Sequence, residues 1–338
     1  MRKILYIVNY KPQMGGISGQ VEILKSNVDK EEGFLTDIFS TKGSFYKRLL
    51  SFIKLFFTAV NYDILHIHGC SGFGGFVPIM YGIIIGKFRN KKIYITYHGG
   101  EARIFFKQHT KFVRFFLMRA DKIIVLSGYL KRIFDEFNIP CLVIPNIIQL
   151  NHIQQSIDKK VINPHFISVR HLEPLYNIPC ILRAFKIIQG RFHNASLEIL
   201  GKGSQRNYLE KIVTDLDLNN VTFVGQIPNS EVNDYLMRND ILLSSPVIDN
   251  MPVSILEAFN CGLLVISSDV GGVPYIVENK KTGLLFNSDD HVQMAECAIW
   301  ALTHQQESIN IINLAKQEVS KYQWETIRNN IMKLYLDK

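Results

Sequence analysis

The stretch from Asp249 to Phe286 limits the fold of this chain more than any other. Pro252 has a fixed φ and no backbone N–H, which suits the first turn of a helix. Asn250 is placed to cap that helix, and Gly262 to close it in the left-handed conformation. The apolar run Leu264-Val265-Ile266 reads as a strand, and Gly271-Gly272 as the turn into a second helix. Two helix N-termini beside strand ends direct free N–H groups and the positive ends of two dipoles at one anion. Asp249 and Glu257 add two carboxylates to the same unit. Helices after strands occur in every α/β protein, and Glu257 read alone is equally a solvated helix residue. On the other reading, the pairing suits a ligand with a phosphate part and several hydroxyls, as a nucleotide sugar has.

A chain of 338 residues exceeds a usual single core, so two domains are expected. With 47% hydrophobic and 20% charged residues it reads as globular and not disordered. Its five cysteines, Cys70, Cys141, Cys180, Cys261 and Cys297, are scattered without a C-x-x-C pair. That suits a reducing cytosol and argues against a disulfide framework or zinc. The first residues lead into a short apolar strand and do not read as a signal peptide. The longest apolar run, Gly74 to Gly86, contains Pro78 and is too short to span a bilayer.

Charge is unevenly placed. Residues 1–150 carry 21 Lys and Arg against 10 Asp and Glu, which leaves 17 against 20 for the remainder. The cations are interleaved with aromatics at Phe45-Tyr46-Lys47-Arg48, Phe52 to Phe57, Lys87-Phe88-Arg89, Arg103 to Lys107 and Lys111 to Arg119. Interfacial helices read this way, with Phe and Leu in the headgroup layer and cations on phosphates. A solvated helix face above a core face is the plainer alternative. Nucleic acid would also be served by such a patch, but no nucleic-acid-binding motif is present, so none is expected as a partner.

In chain order, Ile4 to Val8 reads as a buried parallel strand, and Gly15-Gly16 as a turn before a helix. The G-x-G-x-x-G spacing of a dinucleotide fold is absent. Asp63 to Gly69 reads as another strand, containing His66 and His68, to which no role is assigned. Ile93 to Tyr97 alternates apolar residues up to His98-Gly99-Gly100, the strand-end position where ligands sit in open α/β sheets. Lys122 to Ser127 is a further strand with Ser127 capping the next helix, and the polar residues 151–163 read as a linker.

Several of these stretches together resemble glycosyltransferase family 4, the retaining transferases of the GT-B fold. The densest likeness runs from Asp249 and Glu257 through Asn260-Cys261-Gly262, Ser268 to Pro274 and Thr282-Gly283-Leu284-Leu285-Phe286. The resemblance implies two Rossmann-like doubly wound parallel-sheet domains facing a cleft, with a helix beginning near Tyr322 crossing back to the first. It places an acceptor-binding domain at 1–155 plus 322–338 and a nucleotide-sugar-binding domain at 156–321. In the family, Gly15-Gly16 would face the donor phosphates and His98 would hydrogen-bond the donor sugar near its reacting carbon. Arg170 would reach the diphosphate, helped by Lys202 in the loop Gly201 to Ser204, while the strand containing Val224 would meet the base. Asp249 would hold sugar hydroxyls and Glu257 the ribose, with Asn250, Met251, Pro252, Gly271 and Gly272 lining the phosphates.

Three positions depart from the pattern. Tyr176 stands where the family has a second diphosphate lysine, Asp249 where it has a longer Glu, and Tyr275 where a Glu follows Gly-Gly-x-Pro. No Asp-x-Asp motif ends a strand, so neither a catalytic metal nor a cofactor is expected beyond the nucleotide-diphosphate sugar itself. The resemblance implies retaining sugar transfer to a hydroxyl of a glycan or lipid-linked glycan, in capsule, O-antigen or exopolysaccharide synthesis. The setting expected is cytoplasmic, with peripheral contact on the inner face of the plasma membrane. Two other classes stay open: a nucleotide-sugar epimerase of the same fold, and a catalytically degenerate subunit that only binds nucleotide.

Overall fold

The computed structural model describes residues 1–12, 16–148 and 162–337. The chain divides into two compact units, Met1–Gln149 with Tyr322–Lys338, and Leu150–Lys321. The expected boundary at 155/156 lies outside the described residues, as do Gly15 and most of the linker.

In the first unit, strands Arg2–Val8 (β1), Phe34–Ser40 (β2), Ile64–Gly69 (β3), Lys92–Tyr97 (β4), Lys122–Val125 (β5) and Leu142–Val143 (β6) form one parallel sheet. Their order is β2-β1-β3-β4-β5-β6, so the winding reverses between β1 and β3. The central strands are apolar on both faces, as a sheet covered by helices on both sides requires. Leu5, Ile7, Leu65, Ile67, Ile93 and Ile95 pack on one face. The helix Phe73–Phe88 lies against that face at close range, because Gly82 and Gly86 leave room for Ile67 and Ile93. A Cβ at either glycine would come within 2.3 Å and 2.7 Å of those side chains. Ile4, Tyr6, Ile64, Tyr94 and Ile124 form the other face, beneath the C-terminal helix Trp324–Leu336. That helix supplies Ile327, Ile331, Leu334 and Tyr335 to the core, and Arg328 holds Glu31 through two bonds at 2.6 Å and 2.5 Å.

In the second unit, strands His165–Val169 (β7), Ser196–Leu200 (β8), Val221–Gly225 (β9), Ile241–Ser244 (β10), Leu264–Ser268 (β11) and Leu284–Phe286 (β12) form a second parallel sheet. The order β12-β11-β10-β7-β8-β9 reverses its winding between β7 and β10. Phe166, Leu197, Ile199, Ile241, Leu243, Leu264 and Ile266 build its core with Phe185 and Ile188 of the helix Ile178–Arg191.

Candidate active site

In a doubly wound sheet the reversal of winding opens a crevice at the carboxyl ends of the two strands that flank it. Arg170 is the first residue past β7, and Asp249 lies in the loop past β10. The Arg170 side chain is only 10% exposed, and its Nη1 stands 3.1 Å from Asp249 Oδ2. Its Nη2 donates to Ser244 Oγ at 3.3 Å, and the guanidinium carbon lies 5.5 Å from the centre of the Tyr176 ring. Nε of Arg170 is buried without a hydrogen-bond partner among the described residues. Leaving such a donor unpaired costs about 1–3 kcal/mol, so the position favours an acceptor oxygen.

Glycines set the backbone around this cation. A Cβ at Gly201 would lie 2.0 Å from the Arg170 carbonyl oxygen, and one at Gly203 2.2 Å from that of Leu172. The loop is joined to the Arg170 segment by Arg170 N to Leu200 O at 3.1 Å and Leu172 N to Lys202 O at 3.0 Å. Lys202 sits at its exposed tip, with no partner for its ammonium among the described residues. On the other side, Gly272 N donates to Asp249 O at 2.9 Å. A Cβ at Gly271 would meet the Asp249 oxygen at 2.1 Å, and one at Gly272 the Asn250 oxygen at 1.6 Å. Only glycine allows this approach, and Gly271 also adopts φ of 56°.

The helix beyond runs Val253–Asn260 with Pro252 at its N-cap and no side chain capping it. Ile255 N donates to Pro252 O at 3.2 Å, and among the described residues the N–H groups of Val253 and Ser254 are left for another acceptor. Gly262 ends it at φ 72°, as the sequence indicates. Asn250 does not cap this helix, because it lies two residues before the N-cap position; its backbone N–H donates to Asp249 Oδ1 at 2.7 Å. The second helix expected after Gly271-Gly272 is also absent. Val273–Tyr275 makes a single 3-10 turn, since the chain must return through Glu278 to Thr282 to reach β12 at the sheet edge. One helix N-terminus, not two, thus serves this crevice. Glu257 lies on that helix, where burial pushes its carboxyl up to about 7 against the opposing pull of Arg170.

The first unit carries a histidine cluster at the carboxyl ends of β3 and β4. His98 Nε2 is 3.0 Å from His68 Nδ1, and the His68 and His66 ring centres are 4.5 Å apart. His66 Nδ1 meets Tyr335 Oη at 2.6 Å and its Nε2 meets Thr96 Oγ1 at 2.8 Å. Burial holds His66 and His98 down at about 3 and His68 well below its ordinary value. All three imidazoles are therefore neutral at physiological pH, and His98 is a hydrogen-bonding group and not a cation. His68 Nε2 is buried without a partner among the described residues. A bare lone pair there is cheaper than an orphaned N–H, so His68 donates from Nδ1 to His98 Nε2. His98 then carries its own proton on Nδ1, free to be given.

Comparison with known proteins bears on both units. Residues 151–318 match the family described as glycosyl transferases group 1, and residues 25–152 match Glycosyltransferase Family 4. The chain belongs to glycosyltransferase family 4. Among curated relatives, the sulfoquinovosyl transferase of Arabidopsis thaliana is 27% identical over 44% of this chain and 29% of its own length. An uncharacterized glycosyltransferase of Methanocaldococcus jannaschii is 24% identical over 78% of this chain and 68% of its own. The crystal structure of Anabaena HepE in complex with UDP-glucose superposes with a TM-score of 0.81 at 18% identity, covering 99% of each chain. That likeness gives this family 4 chain the GT-B fold.

Within the family 4 chain, Arg170, Asp249, Asn250, Met251, Pro252, Glu257, Gly271 and Gly272 come together past β7 and β10 of the second unit. Val224 is the extra residue of a β-bulge: Phe223 pairs with Ile199 and Gly225 with Leu200, and Val224 faces neither. Gly16 stands at φ 67° before the helix Ile17–Val28, and His98 at the end of β4, both in the first unit. Arg206, at the start of the helix that follows the Lys202 loop, is engaged on that helix, with Nε 2.5 Å from Glu210 and its guanidinium over Phe223. Sequence reasoning passes over Ser244, gives Gly201 and Gly203 no contact role of their own, and assigns none to His68. The spacing of His66 and His68 was a usable signal, because alternate residues of a strand share one face.

Proposed function

We propose that this chain is a retaining, metal-independent glycosyltransferase that moves a sugar from a nucleotide-diphosphate sugar to a hydroxyl of a glycan or lipid-linked glycan. The observation that carries the reading is the buried, unpartnered Nε of Arg170 at the reversal point of the second sheet. Departure of a nucleoside diphosphate from the anomeric carbon develops negative charge on the leaving oxygen. A fixed cation and an uncapped helix N-terminus stabilise that charge, and removing one such group typically costs about 3 kcal/mol. Glu257 would take the ribose hydroxyls and Asp249 the sugar hydroxyls, once the donor exchanges with Asp249 for Arg170. His98, neutral and donating from Nδ1, would hydrogen-bond a sugar hydroxyl. HepE was crystallised with UDP-glucose, which makes a UDP-sugar the first donor to try.

The same reading extends to assembly of a surface polysaccharide and to contact of the basic first unit with an anionic membrane on its cytoplasmic face. The test is a thermal-stability screen of nucleotide sugars followed by donor hydrolysis. A ligand at a hundred times its dissociation constant adds about 2.7 kcal/mol to folding. Stabilisation by one nucleotide sugar, with hydrolysis that Arg170→Ala abolishes, supports transfer. Stabilisation without turnover would leave a degenerate binding subunit. Free epimerised nucleotide sugar would overturn the transferase reading in favour of an epimerase.

A further inference from the structure

The helix Phe45–Thr58 in the first unit is apolar on the side it turns to water as well as on the side it turns to the core. Its inner side is anchored: Leu55 is fully buried, the Phe52 ring lies 4.9 Å from that of Tyr81, and Phe56 packs 5.2 Å from Phe88 under the guanidinium of Arg89. The outer side is apolar as well. Phe45, Tyr46, Leu49, Leu50, Ile53 and Phe57 recur at helical spacing on one face and are 50–77% exposed. A surface helix ordinarily turns charge outward, and an exposed contiguous apolar face marks an interaction site. Lys47 and Lys54 border that face, and residues 38–62 contain Lys42, Lys47, Arg48 and Lys54 without one Asp or Glu.

We infer that this helix seats the protein on an anionic bilayer, with its six apolar side chains in the headgroup layer and its lysines on lipid phosphates. A second copy of the chain is a poorer occupant. Isologous pairing through this face would bring the cations of one helix against those of the other. An acid-free surface instead finds its complement in anionic headgroups.

The position of the helix gives the docking a use. Its N-terminal end follows β2, and Thr41 Oγ1 there bonds Asn9 Oδ1 at 2.9 Å, while Asn9 Nδ2 bonds Gly74 O at 2.8 Å. Asn9 follows β1 and Gly74 lies just past β3, so Phe45, Tyr46, Lys47 and Arg48 stand at the carboxyl edge of the sheet, the edge that also carries His98. An acceptor whose lipid stays in the bilayer would present its glycan at that edge. This step rests on the transferase reading and narrows its acceptor to a lipid-linked one.

The experiment is flotation of the 338-residue chain with vesicles of phosphatidylcholine alone or with added phosphatidylglycerol. Binding is expected only with phosphatidylglycerol and should weaken as salt rises. Leu50→Glu with Ile53→Glu should abolish it, and Lys47→Ala with Lys54→Ala should weaken it about twenty-five-fold, at about fivefold per cation. Circular dichroism and thermal melting of the same variants exclude misfolding as the cause. Absence of flotation, flotation untouched by either pair, or a solution dimer that Leu50→Glu with Ile53→Glu dissociates would overturn the proposal. Donor hydrolysis by the unaltered chain in vesicle-free buffer separates the two readings. Hydrolysis without flotation refutes the docking alone, and flotation without hydrolysis refutes transfer while the docking stands.

Discussion

Glu257→Gln is expected to make the empty protein more stable while removing its capacity to bind a nucleotide. The carboxyl of Glu257 is raised from an ordinary 4.5 to about 7 because burial disfavours its charged form. A group that holds its proton more tightly folded than unfolded weakens folding progressively between those two values. Above about pH 7 the cost is fully present, and well below pH 4.5 it vanishes. At 1.36 kcal/mol per unit the whole shift corresponds to about 3 kcal/mol. Glu257 keeps partial contact with solvent, so roughly 1–2 kcal/mol is the expected gain. For a unit of this size that raises Tm by about 3–6 °C at pH 8. The assay is differential scanning calorimetry of both proteins at several values from pH 5 to pH 8, with nucleotide diphosphate binding by titration calorimetry in parallel. An unchanged or lower Tm at pH 8, or a gain that does not shrink toward pH 5, would refute the reasoning. A stable variant that binds nucleotide as well as the parent would show that Glu257 does not hold the ribose.

Gly272→Ala should displace the Asp249-Asn250 backbone, because its Cβ would need the space of the Asn250 oxygen. A loss of a few kcal/mol in stability, typical of overpacking, and of nucleotide binding is expected by melting and calorimetry. Tyr176→Lys restores a second cation beside Arg170 and should tighten donor binding about tenfold with a steeper salt dependence, checked by titration at two ionic strengths. His98→Ala should lower kcat about a hundredfold with little change in nucleotide affinity. His68→Phe should imitate it by freeing the His98 tautomer, whereas His68→Asn, which keeps a donor near the Nδ1 position, should retain most of the rate. Nitrogen-15 shifts of His98 in the two His68 variants report the tautomer directly.

The second unit was legible where its signals are local. Gly262 and the apolar run to Ile266 specify their own conformations, and the structure follows them, while Pro252 stands at the N-cap, just before the first turn expected to hold it. Asn250 as a cap and a helix after Gly271 failed because tertiary needs won. Asn250 falls two residues short of the N-cap position, and Gly271-Gly272 is a contact surface between two loops and not a helix start. The pairing of Arg170 with Asp249 was hidden for a different reason: β7 and β10 are neighbours only once the sheet forms. The same holds for His68, whose meaning depends on the register that sets it opposite Thr96 and next to His98. β2 escaped notice because Phe34–Ser40 carries Thr36, Asp37 and Ser40, and an edge strand needs no continuous apolar run.

The last helix, Trp324–Leu336, has a consequence for synthesis. Its Tyr335 lies among core residues drawn from the first strand, and Arg2 donates to the Tyr335 carbonyl. As the chain leaves the ribosome, residues 162–321 can complete their own sheet while the earlier half still waits for its final layer. The unit begun first is thus the one finished last, and the interval exposes Ile4, Tyr6 and Tyr94 to whatever chaperone attends the nascent chain.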